Sequence, residues 1–172
     1  LFGQPDGVGA RLAPPLEGLP VVADQAAAIL FSSGSESAPK GVVLSHRALM
    51  SNIKQVSDVL DVRHDDVLLG SLPTFHAFGL TVTSLMPLIE GVPVVCHADP
   101  TDAFGTAKLI QRHKATLYLG TSTFLRFLLR NRKVKPEMLA SLRLVVAGAE
   151  RLRPEVREGF AERFGKQGIE GY

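Results

Sequence analysis

Residues 32–41 read S-S-G-S-E-S-A-P-K-G, a run of small hydroxyl-bearing side chains closed by one lysine. That combination suits a polyphosphate. Gly34 and Gly41 let the backbone come close, the hydroxyls and amides of Ser33, Ser35 and Ser37 donate hydrogen bonds, and the Lys40 ammonium neutralises charge. The spacing also excludes a Walker A loop, whose lysine follows glycine and sits on the first turn of a helix. Here Pro39 precedes Lys40, and G-V-V-L at 41–44 reads as a strand. The apolar run at 26–31 before the loop reads as a buried strand. The segment is thus a strand–loop–strand clasp.

Three further runs carry residues capable of chemistry. L-P-T-F-H-A-F-G at 72–79 sets His76 between two phenylalanines. A neutral imidazole can donate a hydrogen bond to a carboxylate, and Phe75 and Phe78 can wall an acyl chain. Taken alone, a histidine before a helix reads as a satisfied core side chain. L-V-V-A-G-A-E at 144–150 puts a small-residue turn after a strand, where a flat purine could lie against the backbone of Gly148, Ala149 and Glu150. Gly171 and Tyr172 close the chain, and the tyrosine offers a π-face.

The four runs, in this order, resemble the signature motifs of the adenylate-forming superfamily: acyl-CoA synthetases, the adenylation domains of peptide synthetases, and luciferases. Most specified positions of the phosphate loop match; Glu36 and Ser37 depart from it. The S-S-G-S-E opening is most similar to bacterial acyl-acyl carrier protein synthetases, often fused to a 2-acylglycerophosphoethanolamine acyltransferase. The resemblance implies ATP and Mg²⁺ as cofactors and activation of a fatty acid as an acyl-adenylate. Transfer to the thiol of acyl carrier protein or coenzyme A follows. It implies that Ser33, Gly34, Ser35, Glu36, Ser37, Lys40 and Gly41 hold phosphates, and that Gly148, Ala149, Glu150, Gly171 and Tyr172 hold adenine. His76, Phe75, Phe78 and Thr121 would face the carboxylate and acyl chain. The Mg²⁺-placing glutamate and the lysine of a C-terminal lid would lie beyond Tyr172, so no metal ligand is expected within the chain. A fragment of this kind is expected to be inactive alone; the alternative is a non-catalytic nucleotide- or acyl-binding module.

The elements that must position these residues follow from periodicity. Ser45 reads as the N-cap of a helix to about residue 60, with Leu49, Ile53, Val56 and Leu60 on one face. Strands are expected at 66–70, 93–96, 115–119 and 142–147. Between them lie helices at 78–89, from Asp99 as N-cap with Pro100 in first position, and after Thr121; a last helix opens at Pro154. Strand and helix alternate with short links, which specifies an α/β fold with a mainly parallel sheet flanked by helices. Ligands of such sheets sit beyond the carboxyl ends of the strands. The Gly- and Pro-rich residues 1–25 read as a connector, leaving 26–172 as the nucleotide-binding α/β portion, truncated before the lid.

Composition bounds the rest. A chain of 172 residues suits one domain, and a net charge of +2 with no arginine–aromatic stripe argues against nucleic acid. The single cysteine, Cys96, reads as a buried thiol and fits a reducing, cytoplasmic compartment. Residues 67–89 carry no formal charge, but Pro73, Gly79 and Pro87 interrupt them, so a strand followed by a core helix fits better than a membrane span. Through regions outside the chain, the resemblance allows peripheral association of a parent protein with the bacterial inner membrane. Arg126, Arg130, Arg132, Lys133 and Lys135 cluster without an intervening acid. They read as a solvated face, with docking of an acidic carrier protein or anionic lipid as the alternative.

Overall fold

A computed structural model describes residues 22–32 and 40–171. Two sheets form. β1 (Ala26–Ser32) and β2 (Lys40–Ser45) make an antiparallel hairpin, with Ser32 opposite Lys40 and Phe31 opposite Gly41. The other five strands form a parallel sheet in the order β4-β3-β5-β6-β7: β3 (Leu68–Gly70), β4 (Val94–Cys96), β5 (Leu117–Gly120), β6 (Leu144–Ala147) and β7 (Gly168–Glu170).

Strand direction alternates side chains between two cores. Tyr118, Val145 and Ala147 pack on one face with α4 (Ala103–His113), α5 (Ser122–Arg130) and α6 (Pro154–Phe164). Leu117, Leu119, Leu144 and Val146 point to the other face, shared with Leu60 of α1 (His46–Leu60) and Val82. The reason lies in the strand order. From β3 the chain crosses to β4 on one side, then returns past β3 to lay β5, β6 and β7 on the other. With right-handed crossovers, helices after the reversal fall on the opposite face. Among the described residues the second face is therefore covered mainly by α1 and the β3–β4 connection, which leave it open over β5–β7 near the carboxyl edge.

Local signals account for most boundaries. Ser45 Oγ accepts from the Ala48 amide at 3.2 Å and caps α1, whose Ile53 and Leu60 are buried. Thr121 Oγ1 accepts from the Phe124 amide at 3.3 Å and caps α5. Val156, Phe160 and Phe164 form the buried stripe of α6. A salt bridge ties the amino edge of the sheet: Asp66, 2% exposed, receives Arg143 Nη2 at 2.5 Å and Nε at 2.8 Å. Thr116 Oγ1 donates to the same carboxylate at 2.6 Å and the Arg63 amide at 2.9 Å.

Four expectations need correction. The buried strand expected at 26–31 lies in the hairpin, apart from the parallel sheet, with Ile29 57% and Phe31 73% exposed. An apolar run marks a strand without saying which sheet it joins. Cys96 is exposed because β4 is an edge strand. The N-cap of α4 is Asp102, accepting from the Gly105 amide, while Asp99 closes the preceding turn by accepting from Thr101. The helix expected at 78–89 is one continuous helical run of three parts: α2 (Ala77–Gly79), a π segment (Leu80–Leu85) and α3 (Met86–Glu90). Thr83 Oγ1 donates to the Gly79 carbonyl at 2.7 Å inside that run. Among the described residues no helix is long and apolar enough to cross a membrane.

Candidate active site

His76 is the hinge of the site. It precedes α2 in extended conformation, and its Nδ1 accepts from the Phe78 amide at 3.3 Å. An accepting Nδ1 puts the hydrogen of the corresponding tautomer on Nε2. The turn behind it is tight. A side chain on Gly79 would collide with the Pro73 carbonyl, so glycine is required where the helix folds back on L-P-T-F.

Two cavities of about 520 Å³ each meet at His76 and Ala77. The first lies on the open part of the second sheet face. Val56, Leu60, Phe78, Val82, Leu119 and Val146 give it an apolar floor. Asn52, Gln55 and Thr81 add polar groups, and Ala149, Glu170 and Gly171 border the carboxyl edge. The second cavity lies between Leu30, Phe31, Val42 and Leu44 of the hairpin and Phe75 of the L-P-T-F-H turn. Hairpin, histidine turn and the β6 and β7 ends are thus strung along one edge.

At that edge β6 runs into Gly148, whose amide donates to the Gly120 carbonyl at 2.9 Å. A Cβ at 148 would fall within 2.8 Å of three ring atoms of Phe78, so glycine lets the ring lie on the strand end. Ala149 follows in the left-handed region with φ 62°, a conformation that costs a side-chain-bearing residue about 1 kcal/mol. Gly171 donates from its amide to the Ala147 carbonyl at 2.8 Å, and a Cβ there would meet Val146. The shelf at 148–149 and 171 is therefore backbone with the Ala149 methyl as its one side chain. Glu150 turns aside from it: Oε1 accepts from the Thr123 amide at 2.5 Å, at the start of α5. Partial burial opposes that charge. The Thr123 amide and the hydroxyls of Thr123 and Thr121 outweigh it and hold the carboxyl below the ordinary glutamate range.

Lys40 and Gly41 stand at the head of β2, where the hairpin register fixes the two ends of the clasp. Ser33, Gly34, Ser35, Glu36, Ser37 and Tyr172 lie outside the described residues. Phe78 lines the first cavity and Phe75, 83% exposed, the second. Thr121 borders neither; its hydroxyl accepts from the Phe124 amide to cap α5 and serves the Glu150 carboxylate. Residues the motifs do not name also contribute, above all Asn52, Gln55 and Val59 of α1 and Leu119 of β5. The apolar periodicity of α1 marks only its buried stripe. Nothing in the sequence marks the flank that borders a cavity. Among the described residues no group of three or more His, Cys, Asp or Glu is placed to hold a metal.

A parallel α/β sheet with these segments at its carboxyl edge presents them where ligands of such sheets bind. The sequence profile of the AMP-binding enzyme family matches residues 5–172, and the chain belongs to that family. It is 35% identical over 145 residues to 4-coumarate–CoA ligase 3 of Arabidopsis thaliana, covering 81% of this chain and 26% of that protein. It is 30% identical over 148 residues to a long-chain-fatty-acid–CoA ligase of Bacillus subtilis, covering 85% and 26%. Apo MatB from Rhodopseudomonas palustris superposes with a TM-score of 0.78 at 30% identity, covering 88% of this chain and 29% of that one. The ATP-bound form of MatB superposes with a TM-score of 0.75. The chain therefore spans roughly a quarter to a third of the length of these relatives.

Proposed function

We propose that the chain is the nucleotide- and acid-binding α/β portion of an AMP-forming acid–thiol ligase. Such an enzyme joins a carboxylic acid to AMP, with loss of pyrophosphate, and passes the acyl group to a thiol. The observation that carries this reading is the pair of cavities meeting at His76. One is floored by apolar side chains and bordered by Ala149, Glu170 and Gly171; the other abuts the hairpin that holds the clasp.

In this reading the acid's hydrocarbon part occupies the apolar cavity. Its carboxylate approaches His76 Nε2, and the adenine rests on the shelf at 148–149 and 171. Lys40 and Gly41 anchor the clasp that receives the phosphates. ATP supplies the leaving pyrophosphate. Mg²⁺ would enter with the phosphates, and no ligand for it is assigned among the described residues. Attack of a carboxylate on the α-phosphorus makes an acyl–phosphate bond, breaks the α–β bridge and releases pyrophosphate. The protein's share is alignment of the two reactants and stabilisation of the charge that builds on phosphorus.

Among acids, we favour a fatty acid, because the cavity floor is aliphatic apart from Phe78, and its polar groups are uncharged except at the rim. The long-chain-fatty-acid–CoA ligase relative supports this choice, and the 4-coumarate–CoA ligase relative supports an aromatic acid as competitor. The thiol is that of coenzyme A or of a carrier protein.

The test is calorimetric titration of the folded chain with a hydrolysis-resistant fatty acyl-adenylate and with a coumaroyl-adenylate counterpart. Saturable binding of the fatty analogue, weakened at least tenfold in the H76A variant, supports the proposal. Tighter binding of the aromatic analogue would replace the acid, and no binding of either would refute the site.

A further inference from the structure

We infer that Glu150 is a positioning residue for the purine shelf: anchored on the first turn of α5, its carboxylate holds Ala149 in the left-handed turn that shapes the shelf. Glu150 thereby acts on the purine through its neighbour instead of touching it. The inference rests on the ligase reading for what occupies the shelf. The need for an anchor is local. Among the described residues only Asp61, Lys114 and Ala149 combine a side chain with positive φ. Asp61 and Lys114 close α1 and α4, and each donates its amide back into the helix it ends. A helix end supports that conformation. Ala149, at φ 62°, follows a strand and has no such support.

The loop after β6 is instead stitched to the G-T-S-T run at 120–123 on both sides of Ala149. Before it, the Gly148 amide donates to the Gly120 carbonyl at 2.9 Å. After it, Glu150 Oε1 accepts from the Thr123 amide at 2.5 Å, and the hydroxyls of Thr123 and Thr121 donate to the same carboxylate. Further on, the Arg153 amide donates to the buried Ser122 Oγ at 3.2 Å. The Thr123 amide is one of the donors that the first turn of a helix leaves without a backbone partner. A carboxylate placed there also meets the positive end of α5. Ala149 is thus the single residue between two pinned ones.

The turn matters to a ligand because of where it lies. Ala149 borders both the apolar cavity and a smaller one of about 360 Å³, which it shares with Glu150, Arg151, Glu170 and Gly171. A change of φ at Ala149 therefore moves the wall that the two cavities have in common. The floor of the apolar cavity, carried by α1, β5 and β6, stays where it is. Without the Glu150 anchor, alanine relaxes out of the left-handed region that it disfavours. The shelf is then no longer formed in advance, and a ligand must restore the turn as it binds.

Two readouts on the folded chain test this. In the unliganded protein the amide–Hα coupling and carbon shifts of Ala149 report its φ. E150A should move them out of the left-handed range, and E150D, one methylene shorter, should move them part of the way; should E150A fail to fold, E150D carries the comparison. Calorimetric titration with a hydrolysis-resistant fatty acyl-adenylate should show binding about tenfold weaker in E150A, the scale of the left-handed penalty. E150Q, whose amide oxygen still accepts from the Thr123 amide, should stay within about threefold of wild type. In an A149G background, where positive φ is free of that penalty, adding E150A should weaken binding by less than about threefold. A direct contact between Glu150 and the ligand would carry the whole loss into that background. Ala149 signals unchanged in E150A and E150D, or a loss undiminished by A149G, would overturn the inference. Failure of the wild-type chain to bind the analogue would count against the ligase reading, and the Ala149 signals would still decide the clamp.

Discussion

The Phe78 ring lies on the backbone of Gly148, close enough that a Cβ there would come within 2.8 Å of three ring carbons. This contact joins the histidine turn to the end of β6, beside the apolar cavity that Phe78 and Ala149 line. Gly148→Ala must push the ring off the strand. Overpacking of this kind costs about 1–3 kcal/mol, and the displaced ring would enter the cavity it now walls. Urea unfolding should show the loss, and affinity for an acyl-adenylate analogue should fall with it. The double variant G148A/F78L should recover stability more fully than binding.

His76→Ala separates function from folding. The side chain is exposed, and its one hydrogen bond within the protein caps a three-residue helix. Removing that cap should cost about 0.5–1 kcal/mol, while binding of an acyl-adenylate should weaken at least tenfold. An asparagine at 76 should restore the cap and not the affinity. Unfolding curves and calorimetry on the two variants check both statements.

Glu150 links the loops after β5 and β6 through the Thr123 amide, and its carboxyl sits below the ordinary glutamate value of 4.5. The sign follows directly. A lowered folded-state pKa stabilises the protein fully above 4.5, and that contribution disappears as pH falls through the folded value. Glu150→Gln should cost about 1 kcal/mol at neutral pH, below the usual range for a hydrogen bond to a charged group because Glu150 is exposed and its charge screened. The difference between variant and wild type should close below pH 4.5 in thermal melts taken across the acid range.

Asp66 behaves likewise, from a more buried position. Desolvation raises its pKa, but Arg143, the Thr116 hydroxyl and the Arg63 amide prevail and hold it below 3.8. Its contribution is present above that value and is lost as pH falls beneath it. Arg143→Met would strand a carboxylate that is 2% exposed, and breaking such a pair costs about 3 kcal/mol. The double variant D66N/R143M should regain part of this. Denaturant titration of the three proteins gives the coupling directly.

What the sequence could convey follows from how local each determinant is. Caps at Ser45 and Thr121 and the stripe at Val156, Phe160 and Phe164 depend on neighbours three or four residues away, and the structure places them as expected. The alternation of strands and helices specified a parallel sheet for the same reason. Sheet membership is not local. The run at 26–31 has the composition of a core strand, yet it pairs only with β2, and Cys96 is exposed because β4 forms the sheet edge. The site shows the same division. The motif residues His76, Phe78, Ala149 and Gly171 line one cavity, with Gly148 under the Phe78 ring, whereas Asn52, Gln55 and Val59 reach the cavity through packing of α1, which leaves no mark in its periodicity. The left-handed turn at Ala149 is equally silent, since alanine rarely signals positive φ.

Amide chemical-shift mapping with a hydrolysis-resistant fatty acyl-adenylate is the most direct test of the central claim that hairpin, histidine turn and strand ends form one ligand site. The account predicts concerted shifts at Gly41, His76, Ala77, Gly148, Ala149 and Gly171, saturating together at a single dissociation constant. Shifts confined to only one of these segments, or centred on α4 and α5 instead, would contradict it.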